Sequence, residues 1–196
     1  MKPYNQLCSF LSSRKSDMFD LLKRMVETQS HSFNKAGNDR MMNLIESEFK
    51  NSYVTFTRIH QKNFGNHLLV RSKATSKYPK QILLVGHTDT VFPETSSFKH
   101  YSEDERYCYG PGVIDMKGGL TAGIYALKAL KASACLEQIP ITFIFNSDEE
   151  IGSRTSGPLI RQEAAKSLFA FVLECGGLEG EVVTGRKGSM SLELET

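Results

Sequence analysis

Apolar positions change their spacing from one stretch of the chain to the next. From Asp17 to Thr28, Met18, Leu21, Leu22, Met25 and Val26 recur at helical intervals, with Ser16 ahead of them as a cap. A second helix is expected from Asn38 to Phe49, capped by Asn38 after Gly37. Tyr53 to Ile59 and His67 to Arg71 are rich in β-branched and aromatic residues and read as strands. Three short apolar runs without alternation follow: Ile82 to Val85, Ile141 to Phe145 and Leu168 to Leu173. Such runs suit strands buried on both faces. Helical stretches separate them. One runs from about Gly119 to Cys135, with Leu120, Ile124, Leu127 and Leu130 on one face. The other runs from about Ser156 to Lys166, with Pro158 in its first turn. This alternation predicts an α/β fold, an open and largely parallel sheet with helices on both faces. Beyond Val183, Gly185 and Gly188 bracket Arg186 and Lys187, and a strand-like segment runs from Met190 to Leu194.

Composition narrows the functional classes. The chain has 196 residues, 40% hydrophobic and 23% charged, with a formal net charge of +2. Its basic residues are scattered among acids, so neither nucleic acid nor an anionic membrane is expected as a partner. No stretch approaches the roughly 20 apolar residues of a membrane span. Residues 1–14 lack the apolar core of a secretory signal, which points to the cytoplasm. Cys8, Cys108, Cys135 and Cys175 are far apart and form no C-x-x-C pair. Reduced, buried thiols are expected, with neither disulfides nor a thiolate zinc site.

Ligands of open α/β sheets bind beyond the carboxyl ends of the strands. After Val85 comes Gly86-His87-Thr88-Asp89-Thr90, and after Phe145 comes Asn146-Ser147-Asp148-Glu149-Glu150. Glu174 follows Leu173, and Asp115 lies in a glycine-rich segment, 110–119, just ahead of a helix. A lone His-x-Asp or Glu-Glu pair is more often a polar loop. Here one imidazole and several carboxylates converge on one edge of one sheet, and a carboxylate directly after a buried strand needs a partner. Nitrogen and oxygen donors favour zinc, with manganese or cobalt as alternatives. The carboxylates are too many for one catalytic zinc and fit a pair of ions about 3.5–4 Å apart.

The segments 86–93, 109–119 and 145–153 resemble the motifs of the dinuclear-zinc aminoacylase and carboxypeptidase metallopeptidases. The closest likeness is to their glutamate carboxypeptidases, through Tyr-Gly-Pro-Gly before Asp115 and Phe-Asn-Ser-Asp-Glu-Glu. The resemblance implies that His87 and Glu174 bind one zinc, Glu150 binds the other and Asp115 bridges both. It implies that Asp89 orients His87 and that Glu149 is the general base, carrying a proton from the attacking water to the leaving nitrogen. A cis Asp115–Met116 peptide is implied too, as are backbone bends at Gly112, Gly118 and Gly119. Substrates would be small peptides or N-acyl amino acids, cleaved as by a carboxypeptidase or by a deacetylase or desuccinylase. Family members are about twice as long. Residues 1–185 would be the N-terminal part of a catalytic domain, and residues 186–196 the start of a lid that makes a homodimer. The lid and a further histidine ligand would lie downstream, since His31, His60, His67 and His100 read as surface or loop residues. Weak or absent turnover is therefore expected of these 196 residues alone, and a non-catalytic domain holding at most one metal is the competing reading.

Overall fold

The computed structural model describes residues 3–49, 53–177 and 180–185. The sequence expectations for 186–196 lie outside them. Two helices open the chain, α1 (Pro3–Ser13) and α2 (Lys15–Glu27), followed by α3 (Lys35–Glu48). Strands β1 (Val54–Ile59) and β2 (His67–Ser72) form an antiparallel pair, with Val54 opposite Ser72. Then come β3 (Gln81–His87), the small hairpin β4 (Ser102–Glu103) and β5 (Cys108–Tyr109), and α4 (Gly118–Ala132). The chain continues through β6 (Ile141–Asn146), α5 (Ser156–Ala164) and β7 (Ser167–Val172).

The main sheet has the order β1-β2-β6-β3-β7. Its parallel part is made by the three apolar runs, with β3 between β6 and β7. The β1-β2 pair joins β6 antiparallel, so the sheet is mixed. Helices cover both faces, as the alternation predicts. On one face, α2, α3 and α4 bury Leu21, Met25, Met41, Ile45, Leu120 and Ile124 against Phe143 and Phe145. On the other, Leu159 and Ile160 of α5 pack on Leu69, Leu83, Val85 and Ile144. The chain thus passes from β3 to β6 through a helix on one face and from β6 to β7 through a helix on the other. All three parallel strands therefore end at the same edge. His87 pairs with Asn146 there, and Leu173 N–H donates to Val85 O at 2.9 Å.

Several expectations need correction. Residues 3–13 form a helix that the serines had hidden. Helix α2 starts at Lys15, directly behind α1, so Ser16 lies inside it and caps nothing. The cap of α3 is Asn34, whose side chain accepts from Gly37 N–H at 2.9 Å. Asn38 is instead buried inside the helix, its amide donating to the carbonyls of His31 and Asn34. Strand β7 was expected to be buried on both faces, yet Leu168, Phe169, Phe171 and Val172 are exposed. It is an edge strand paired only with β3, and no described element lies beyond it. None of the four cysteines is buried, and Cys8 and Cys175 are exposed.

His67, expected at the surface, is fully buried on β2. Its Nδ1 accepts from Ser147 N–H at 3.3 Å, and Nε2 lies 2.8 Å from Thr155 Oγ1. Burial pushes its pKa down, which favours the neutral ring that this pattern requires.

Glu163 on α5 is buried and ties two layers together. It accepts from Arg71 on β2, Gln81 on β3 and Lys166. Burial alone would raise its pKa, but the bonds from Gln81 and Lys166 and the charge of Arg71 outweigh it and hold the carboxyl low. The folded value is depressed, so this stability is present above the unfolded carboxyl's pKa and is lost as pH falls through the folded one. Glu163→Gln is expected to cost roughly 1–3 kcal/mol at neutral pH. The gap to wild type in urea unfolding should shrink in acid; a gap constant with pH would contradict this account.

Candidate metal centre

His87 ends β3 with its ring almost wholly buried. Nδ1 faces inward, 3.0 Å from the backbone carbonyl of Asp89 and 3.5 Å from its carboxylate. Nε2 faces outward, 2.8 Å from Asp115 Oδ1 and 3.4 Å from Glu174 Oε1. Partnering one ring nitrogen leaves the other aimed at a ligand position.

Asp115 reaches this point through a tight loop. Gly112 adopts φ +75°, a left-handed conformation that side chains disfavour. Lys117 N–H then donates to Gly112 O at 2.7 Å and closes the turn. The Asp115–Met116 peptide is cis. Gly118 has ordinary helical angles, whereas Gly119 serves close packing of α4 on the end of β7. Glu174 follows from that strand end.

Asp89, 0% exposed, does more than face His87. Its carboxylate accepts from Ser32 Oγ at 2.7 Å and from Glu149 and Glu150 N–H at 3.1 and 3.2 Å. One buried carboxylate thereby couples the loop after β3 to the loop after β6. Ser32 was missed in the sequence, where nothing local marks a partner 57 positions away. Asp148 was missed as well. Its Oδ2 accepts from Thr155 N–H and Oγ1 and from Ser156 N–H, fixing the turn that carries Glu149 and Glu150.

The trio His87, Asp115 and Glu174 offers ligand atoms within 4.8 Å of one another. Glu149 joins them in lining a cavity of about 740 Å³. Glu150 lies outside the trio. It shares with Asp115 an adjoining apolar pocket of about 440 Å³, so Asp115 stands between the two spaces. Burial raises the pKa of Glu149, and Glu174, Asp89 and Asp115 push it further, against the pull of His87. Burial and Asp115 raise that of Glu150. Among the described residues, the ion pairs of this cluster place only the His87 ring against these carboxylates, so several acids share one basic group.

A tetrahedral zinc with bonds of about 2.0 Å needs ligand atoms about 3.3 Å apart. The His87–Glu174 separation already has that value. The shorter His87–Asp115 contact is a hydrogen bond that must open by about half an ångström to admit an ion. One nitrogen and two oxygens facing an open cavity fit a catalytic zinc with a free position.

The model of "Peptidase family M20/M25/M40" matches residues 83–194, more than half of the chain. The chain belongs to this family. Carboxypeptidase G2 of a Pseudomonas species is 31% identical over 156 residues, 78% of this chain and 37% of that protein. A succinyl-diaminopimelate desuccinylase of Coxiella burnetii is 30% identical over 193 residues, 91% of this chain and 49% of that one. The chain thus spans less than half the length of these curated relatives. Among solved structures, the di-peptidase Dug1p of Saccharomyces cerevisiae superposes with a TM-score of 0.71 at 19% identity. It covers 86% of this chain and 40% of that one, and human carnosine dipeptidase 1 gives 0.70 at 20% identity over the same shares. These likenesses show the fold: the M20/M25/M40 chain has an α/β architecture that such peptidases share.

Proposed function

We propose that this centre holds two divalent ions, zinc first, in a protein that hydrolyses the amide bond of a C-terminal amino acid. The carrying observation is the arrangement around Asp115, with His87 and Glu174 on one side and Glu150 on the other. His87, Asp115 and Glu174 would hold one ion, and Asp115 and Glu150 the other, with cobalt or manganese as possible substitutes. Bound ions supply Lewis acidity toward a water and the scissile carbonyl. The proton work belongs to Glu149, which lines the cavity beside the trio without belonging to it. Its raised pKa suits a base that takes a proton from the attacking water and gives it to the leaving nitrogen. Asp89 keeps Glu149 and His87 in register. The likeness to carboxypeptidase G2 supports release of a C-terminal amino acid, and the motif resemblance around Asp115 and Glu149 favours glutamate. The desuccinylase likeness, over more of the chain, supports N-acyl amino acid cleavage as a second reading.

The test is to titrate the metal-free chain with zinc by calorimetry and then follow amino acid release from N-acyl-glutamate and N-succinyl substrates. Two sites are expected, one of them lost in Glu150→Ala, with slow cleavage that a chelator abolishes. Glu149→Gln should keep the zinc and lose roughly 100- to 10,000-fold in rate. Cleavage that survives chelation or Glu149→Gln would overturn the mechanism. A single site indifferent to Glu150, without cleavage, would leave only a metal-holding domain.

A further inference from the structure

A second built cavity lies behind the metal-binding loops. It measures about 230 Å³ and sits between the end of α2, the segment after Thr90, and the start of α4. Lys117, Ser30 and Thr90 form part of its buried wall, exposed by 1%, 1% and 2%. The single hydrogen bond of Lys117 Nζ goes to Thr28 O at a long 3.5 Å, and no described carboxylate pairs with it. An ammonium carries three donors, so at least two are unmet among the described residues. Ser30 Oγ, buried in the same wall, has no hydrogen-bond partner among the described residues. Glu27 and Glu94 also line the cavity, but they are solvent-exposed, as are Lys99 and His100 beside them. Lys117 is therefore the one basic group in the buried wall among the described residues, and burial pushes its pKa down to about 7.

Leaving the N–H groups of a buried amine and a buried hydroxyl without acceptors is costly, and an anion beside the amine would hold it charged. Water would meet their geometric needs but bring no opposite charge. We propose that this cavity is a binding site for a small oxyanion, a carboxylate or phosphate group. One oxygen takes the free N–H groups of Lys117 and another accepts from Ser30 Oγ. The site is distinct from the metal centre but shares its two supports. Thr90 continues the His87–Asp89 loop, and Lys117 follows Asp115 by two residues. Filling it braces both loops from behind.

The test uses the metal-free chain with acetate, phosphate and chloride as separate probes, read by calorimetry and thermal unfolding. Saturable binding of acetate or phosphate, with a raised melting temperature, is expected, and whichever binds more tightly identifies the source. Lys117→Met keeps the shape of the side chain without its charge. It should fold and melt at or above wild type in oxyanion-free buffer while losing the oxyanion response entirely. Ser30→Ala should weaken binding by about tenfold. Absence of saturable binding, a response unchanged in Lys117→Met, or chloride binding as well as the oxyanions would each overturn the assignment. In the first case the cavity holds water only.

Discussion

Replacing His87 by alanine is expected to lower the zinc affinity of the chain by roughly 100-fold or more. Loss of a partner that merely supports a ligand already costs about 10- to 100-fold, and His87 supplies the only nitrogen in the trio. The loss carries a proton signature. Burial alone would push the His87 ring down, but Asp89 and Glu174 outweigh it and push the pKa up to about 11 in the metal-free protein. Zinc needs the neutral ring. At neutral pH the metal must therefore displace a proton from His87, and affinity should rise with pH until that raised value is reached. Calorimetry in two buffers of different ionisation enthalpy counts the released protons. Wild type should lose one from His87 on filling this site, and His87→Ala should lose that release together with the affinity. Unchanged affinity and proton count in the variant would remove His87 from the ligand set.

Gly119→Ala is expected to damage fold and metal site together. A Cβ at Gly119 would lie 1.8 Å from Leu173 O and 2.9 Å from its carbonyl carbon. Both are backbone atoms and cannot rotate aside, so α4 or the exit from β7 must move. Overpacking of this kind costs roughly 1–3 kcal/mol, and more where backbone is involved. Leu173 precedes Glu174, so the displacement also pulls one ligand of the trio away from His87. A fall of about tenfold or more in zinc affinity should accompany the lower melting temperature, because misplaced supports cost that much. Gly157→Ala is the control. Apart from its chain neighbours, the nearest atom to a new Cβ is 3.5 Å away, on the flexible side chain of Arg161, and the position is far from the trio in sequence and helical. Pro158 follows it, so the added Cβ crowds the proline ring and should lower the melting temperature modestly while leaving zinc affinity unchanged. If Gly119→Ala unfolds and binds zinc like wild type, the packing of α4 on Leu173 does not position Glu174.

Spacing along the chain was enough for the strands of the main sheet, the helices between them and the order of the chemistry, though not for the helix at 3–13. The runs 82–85 and 141–145 lacked alternation because β3 and β6 lie inside the sheet with helices on either side. The residues after them turned polar because the strands end there at an open edge. That placed His87, Asp89, Glu149, Glu150 and Glu174 at one rim before any distance was known. Periodicity cannot report what lies beyond a strand, so β7 read like its neighbours although it is an exposed edge. Nor can it choose between two asparagines four positions apart: Asn34 caps α3 because its carboxamide reaches Gly37 N–H, while Asn38 is buried. Only the tertiary structure brought Ser32 to Asp89, Thr155 to His67, and Lys117 beside Ser30 in one cavity. It also left Glu150 outside the trio, in a pocket that it shares with Asp115. The physical reason is range. Spacing along a chain encodes which face a residue takes, whereas contacts between residues dozens of positions apart are fixed by how whole layers pack.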